Sequence, residues 1–114
     1  MAKVYGMHEL ELKPGVDGQE FETYFTRELS PLFRQISGQT IHLLKGDRGS
    51  REGRYLLLFE IDSVERRDSL YPVSGGESPE MDRIFADNSA IANKVNDFVV
   101  AIPDPKFTDY VTVE

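Results

Sequence analysis

The chain has 114 residues, 20 of them Asp or Glu against 13 Lys or Arg, for a formal charge of −7, and it has no cysteine. That length fits one domain spanning residues 1–114, and the acidic balance excludes a protein that lives on phosphate backbones, which needs clustered cations to displace counterions. Without cysteine there is no disulfide framework, no thiolate nucleophile and no Cys-based zinc site, and no apolar run approaches the ~20 residues of a membrane span. We therefore expect a soluble, cytoplasmic protein with neither nucleic acid nor membrane among its partners.

Lys3 to Leu12 alternates, with Val4, Gly6, His8, Leu10 and Leu12 on one side and Tyr5, Met7, Glu9 and Glu11 on the other, the pattern of a strand. Lys13-Pro14-Gly15 ends it. Asp17 followed by Glu20 resembles a capping box and opens an amphipathic helix through Phe21, Phe25, Leu29, Leu32, Phe33 and Ile36. Pro31 removes one hydrogen bond from that helix and predicts a kink or short break near Ser30. Gln39 to Lys45 and Arg54 to Asp62 read as two further strands. The second contains Tyr55-Leu56-Leu57-Leu58-Phe59, too dense in apolar residues for a strand with one face in water, so both its faces should be covered.

Between these strands lies KGDRGSREGRY, residues 45–55, the one stretch with the look of a nucleotide motif. A phosphate-binding loop leads from a strand into a helix, so that helix amides face the phosphates; this one leads into another strand. Gly46, Asp47, Gly49, Ser50 and Gly53 therefore read as a hairpin connection. A short helix from about Ser63 to Tyr71 follows. The loop Pro72 to Ser78, with Gly75-Gly76, is then a candidate lid or a plain connector. Ser78-Pro79 starts a third helix in cap-then-proline order. Ile91, Val95, Phe98, Val99 and Ile102 recur at helical spacing with Pro103 closing them, and predict one last helix to about Ala101. Phe107 to Val113 alternates as the closing strand.

The hairpin fixes a register. Pairing positions whose numbers sum to 100 sets Ile41 opposite Phe59, Leu43 opposite Leu57 and His42 opposite Leu58, and any odd sum would mix the two faces. Ile41, Leu43, Leu57, Phe59 and Ile61 then form the helix-facing core. The other face collects Tyr5, Met7, Glu9, His42, Leu56, Leu58, Glu60 and Tyr110. It is too apolar for open water and too polar for a plain core, which predicts that a second copy of the chain covers it.

His42 and Glu60 stand out on that face, because a diagonal cross-strand separation of about 7–8 Å brings their side chains within reach. A carboxylate that orients an imidazole makes His42 a candidate general base or proton shuttle, with Tyr5, Met7, Leu58 and Tyr110 as candidate ligand contacts. The competing account is a partly solvated ion pair. His8 shares its parity with Leu10 and Leu12 and is expected under a helix as a hydrogen-bonded core residue. Arg51, Arg54, Arg66 and Arg67 are surface charges by default, though any could meet an anion. The histidines and carboxylates are not spaced for a metal centre, and no metal or other cofactor is expected.

The strand-helix-strand-strand-helix-strand order, the turn LELKPGVDGQEFETYF and the closing FTDYVTVE resemble the dimeric alpha-beta barrel superfamily over nearly the whole chain. The resemblance implies an α+β, ferredoxin-like βαββαβ sandwich with a four-stranded antiparallel sheet. It also implies a homodimer formed through the sheet, and a small cavity between the sheet and the surrounding helices and loops. That superfamily includes cofactor-free monooxygenases, haem-degrading enzymes and stress-responsive barrel proteins, and no catalytic residue of any of them maps onto this sequence. The expectation is a homodimer that binds a small, mostly apolar or aromatic molecule in a sheet-lined cavity, as a cofactor-free oxygenase or a proton-transfer enzyme. The alternative is a non-enzymatic barrel whose open face simply seals the dimer, with haem binding a third reading.

Overall fold

A computed structural model describes residues 2–100 and 107–113. In chain order the elements are β1 (Val4–Leu10), α1 (Gly18–Tyr24), α2 (Ser30–Phe33), β2 (Gln39–Lys45), β3 (Tyr55–Ile61), α3 (Val64–Leu70), α4 (Pro79–Asp87), α5 (Ser89–Lys94) and β4 (Thr108–Val111). The strands form one antiparallel sheet in the order β2-β3-β1-β4. The βαββαβ α+β architecture is therefore the one expected.

Short polar side chains start the helices where the sequence places them. The Asp17 carboxylate accepts from the Gln19 amide at 3.0 Å, the Ser63 hydroxyl from the Arg66 amide at 3.0 Å, and the Ser78 hydroxyl from the Met81 amide at 3.2 Å, each satisfying an N–H with no partner inside the helix. Pro79 stands in the first turn of α4, where its missing N–H costs nothing. The break expected near Ser30 takes the form of a π-helical turn, Phe25–Leu29, between α1 and α2, with the Ser30 amide donating to the Phe25 carbonyl. Widening that turn makes room for the Pro31 ring, which would otherwise clash with the carbonyl four residues back.

The connection 45–55 is a hairpin loop. The Gly46 amide donates to the Arg54 carbonyl and the Gly53 amide to the Gly46 carbonyl, both at 2.8 Å. A Cβ on Gly46 would stand 2.0 Å from the Arg51 carbonyl oxygen, so only glycine fits. The β2–β3 register follows the sum of 100, with Ile41 opposite Phe59 and His42 opposite Leu58. In β1, Met7 faces Leu58 and Tyr5 lies between Glu60 and Tyr110.

The helices cover the sheet face that carries Val4, Gly6, Ile41, Tyr55 and Ile61. One buried cluster joins Phe21, Tyr24, Phe25, Leu29, Ile41, Tyr55 and Val99; a second joins Ile36, Leu70 and Met81. Leu70 and Met81 are fully enclosed, and truncating either to Ala would cost about 2–5 kcal/mol. The Tyr55 hydroxyl donates to the Glu22 carboxylate, and burial followed by that contact pushes its pKa up to about 12.

One expectation needs correction. The last helix does not run on toward Ala101, which lies outside the described residues: α5 ends at Lys94, a 3-10 turn occupies Val95–Asp97, and Val99 forms an antiparallel bridge with Leu12. The Val99-Val100 pair instead meets the segment just after β1, with the Val100 amide donating to the Glu11 carbonyl at 2.9 Å and the Lys13 amide to the Phe98 carbonyl at 2.8 Å. The face of β3 expected to meet a second copy is open in the described chain. Leu56 and Leu58 are only half-buried, Leu44 is 43% exposed and Tyr110 53%.

Candidate functional site

On its helix side the sheet is sealed unevenly. The two-turn helix α3 reaches β3 but leaves the β1–β4 end less covered, and a cavity of about 480 Å3 opens there. Its apolar wall is Phe59, Ile61, Tyr71, Pro72, Val73 and Phe107. Its polar wall is His8, Arg67, Asp68 and Asp109.

Each polar group is held. The His8 ring meets Phe59 edge-on at 4.7 Å and stacks on Phe107 at 5.3 Å with 11° between the planes. Arg67 Nη1 donates to Asp109 Oδ2 at 2.8 Å and Nε to Asp68 Oδ1 at 2.8 Å. These carboxylates, Asp68 ahead of Asp109, raise the guanidinium above its ordinary pKa, so it is a fixed cation. Asp109 faces Gly6 across the β1–β4 pair, and a Cβ on Gly6 would stand 2.9 Å from Asp109 Oδ1. The buried glycine is therefore the notch that lets this carboxylate lean over the sheet.

The Tyr71 hydroxyl donates to Gln39 Oε1 at 2.9 Å, and burial pushes its pKa up to about 12, so the phenol stays neutral at physiological pH. Gln39 Nε2 is buried without a hydrogen-bond partner among the described residues. The loop suggested as a lid does reach the cavity, since Pro72 and Val73 form part of its rim, with Val73 96% exposed.

The residues singled out from the sequence lie on the opposite face. His42 Nε2 stands 3.4 Å from Glu60 Oε1, and Lys3 Nζ stands 2.8 Å from Glu60 Oε2. The hydrogen bond from Lys3, more than the contact with His42, holds the Glu60 carboxyl below its ordinary pKa. Tyr5, Met7, Leu58 and Tyr110 share that face by register, and none of the six lines the cavity. The sheet itself separates the two sets.

His8 departs from its expected place as a core residue. Its parity is as expected, but α3 stops short of it, so it is half-buried in the cavity wall. The sequence did carry a signal: the alternation of the last strand puts Phe107 and Asp109 on the side of Gly6 and His8, a carboxylate aimed inward opposite a glycine. A groove of similar volume, about 480 Å3, runs along α1 and α5, but Asp17, Gln19, Glu20 and Thr23 expose its walls to solvent. Among the described residues no three His, Asp or Glu side chains are arranged to hold a metal ion, and no helix is long and apolar enough to cross a membrane.

Comparison with solved structures bears on the architecture. A NIPSNAP-like domain protein from Burkholderia xenovorans matches 98% of this chain and 84% of its own length, with a TM-score of 0.52 and 18% identity. A protein of unknown function from Bacteroides fragilis, described as dimeric and of ferredoxin-like fold, matches 95% of this chain and 94% of its own length, with a TM-score of 0.54 and 14% identity. The fold is ferredoxin-like. At these identities the likeness extends to the fold alone. No protein-family model and no curated protein matches the sequence. In the ferredoxin-like frame the cavity lies between sheet and helices, and the open sheet face lies behind it.

Proposed function

We propose that the protein is a cytoplasmic homodimer that binds a small, mostly apolar or aromatic molecule in the cavity between the sheet and α3. The make-up of that cavity carries the reading. Its volume of about 480 Å3 suits a small ligand, its walls are largely aromatic and aliphatic, and a few polar groups, His8 and the Arg67–Asp109 pair, converge on it. The second copy covers the open face, where Leu44 and Tyr110 are exposed and Leu56 and Leu58 half-exposed. The dimeric Bacteroides fragilis protein of the same fold supports that pairing. Proton transfer through His8 is the activity such a wall favours, with cofactor-free oxygenation of the bound ring as the finer alternative.

A second reading puts the ligand between the two sheets, with His42 and Glu60 as the proton-transfer pair and Tyr5, Met7, Leu58 and Tyr110 as contacts. The 3.4 Å approach of His42 to Glu60 favours it. A non-enzymatic dimer, its open face serving only as a seal, is the third.

Calorimetric titration with 2-naphthol separates the three. Filling the cavity with His8→Trp should weaken binding by roughly tenfold or more, because a packed wall has no room for a second ring. The His42→Ala/Glu60→Ala variant should bind as the parent does. The reverse pattern moves the site to the open face, and no binding by any variant favours the non-enzymatic dimer.

A further inference from the structure

The charges in the cavity wall bear on what kind of aromatic it accepts, an inference that rests on the binding role proposed above. Arg67 is the one permanent cation in that wall, and it is already paired twice, through Nη1 to Asp109 and through Nε to Asp68. Two carboxylates against one guanidinium leave the described wall with one net negative charge, before His8 is counted. Tyr71 adds none, since its hydroxyl is tied to Gln39. A ligand carboxylate entering here would meet Asp68 and Asp109 beside the guanidinium; among the described residues only Arg67 Nη2 is left without a hydrogen bond, and taking Nη1 would displace Asp109. Separating an ion pair that is three-quarters buried leaves a carboxylate without its counter-charge, which is strongly unfavourable.

Asp109 supplies the opposite preference. Its Oδ2 takes the guanidinium, while its Oδ1 leans over Gly6 and accepts no hydrogen bond among the described residues. An ionised carboxylate oxygen in a partly desolvated wall gains most from a donor, above all a charged one. The aromatic surfaces of Phe59 and Phe107 stand beside it to take a ring. We propose that the cavity selects a neutral or cationic aromatic molecule that donates a hydroxyl or ammonium hydrogen bond to Asp109 Oδ1, and discriminates against aromatic carboxylates. The overall charge of −7 acts in the same direction on approach.

Three probes with one ring system test this: 2-naphthol, 2-(aminomethyl)naphthalene and 2-naphthoate, titrated against the intact protein at pH 7. The naphthol and the amine should each bind at least about tenfold more tightly than the carboxylate. Asp109→Asn should abolish most of the amine's advantage over the carboxylate, and should weaken naphthol less than it weakens the amine, since an amide oxygen still accepts from a hydroxyl but no longer carries charge. Carboxylate binding equal to or tighter than that of the amine in the parent protein overturns the proposal whether or not the variant folds, as does an amine-to-carboxylate ratio unchanged by Asp109→Asn. If His8→Trp leaves every affinity untouched, the cavity is not the binding site and the selectivity falls with it. Tight naphthoate binding that His8→Trp removes would instead keep the cavity and reject its charge preference.

Discussion

The two faces of this sheet are built from the same strands by the same alternation, yet they differ in what covers them. On the helix face, Ile36, Leu70 and Met81 close to near-complete exclusion of solvent, and the space next to them, beyond Tyr71, is left hollow. On the open face, Leu44, Leu56, Leu58 and Tyr110 lie over β2, β3 and β4 with no partner layer in the described chain, and a Lys3–Glu60–His42 cluster sits among them. Apolar surface thus marks two different needs. On one face it lines a space sized for a small molecule, and on the other it offers a surface sized for another sheet. Chemistry-bearing residues occur on both, so polarity alone does not distinguish the two faces, whereas cover does.

The strongest way to break this comparison is to place a charge on the open face. Leu58 stands near its middle, opposite Met7 and His42. If two copies meet across this face, as proposed, Leu58→Asp would bury an unpaired carboxylate between them and should weaken dimerisation by about 3 kcal/mol or more, over roughly 100-fold. Sedimentation velocity should then show a monomer with unchanged far-ultraviolet circular dichroism, because Leu58 is only half-buried within its own chain. A variant that remains fully dimeric would place the contact between copies elsewhere.

A smaller effect probes the helix face. Tyr71→Phe removes the donor to Gln39 Oε1, and Gln39 Nε2 has no partner among the described residues, so the buried amide would be left unsatisfied among them. The expected loss is about 1–3 kcal/mol in chemical denaturation, and adding Gln39→Leu should restore much of it, because a buried polar group is removed together with its only partner. Naphthol affinity should barely change in Tyr71→Phe, since the ring that forms the cavity wall is kept. A large loss of affinity with no loss of stability would mean that the hydroxyl, not the ring, faces the ligand.

How far the sequence exposed this arrangement depends on the range of the interaction concerned. The hairpin register was legible because Gly46, Gly49 and Gly53 fix the turn between two apolar runs, and parity then assigns every side chain of β2 and β3 to a face. The approach of Tyr5 to Tyr110 followed from the same alternation. The end of α5 was not legible, since the pairing of Val99 with Leu12 is a long-range choice that helical spacing does not report. The same is true of the Arg67–Asp109 pair, which spans 42 residues and depends on how far α3 reaches across the sheet. His8 was assigned to the correct face and the wrong surroundings for the same reason.

The smallest effect, and the most direct link between the faces and solvent, is the acid response of Glu60. Lys3, then His42, favours its anion, so its folded pKa lies below the ordinary value of 4.5, and the unfolded chain binds more protons in that range. The stabilisation is therefore complete above about pH 4.5 and is lost as pH falls through the folded value. Lys3 is shifted the other way, above 10.5, so its share is present below that value and lost as pH rises through the shifted one. Glu60→Gln should flatten the acid limb of a thermal stability profile and, because Glu60 is what raises Lys3, the alkaline limb as well. In a monomer the pair is open to water and salt should screen most of the difference, whereas a second sheet laid over Glu60 would exclude that solvent. The acid limb should accordingly be steeper in the parent dimer than in the Leu58→Asp monomer, and less sensitive to added salt. Equal slopes in the two would show that Glu60 stays in water in both, and that copies of the chain do not meet across this end of the sheet.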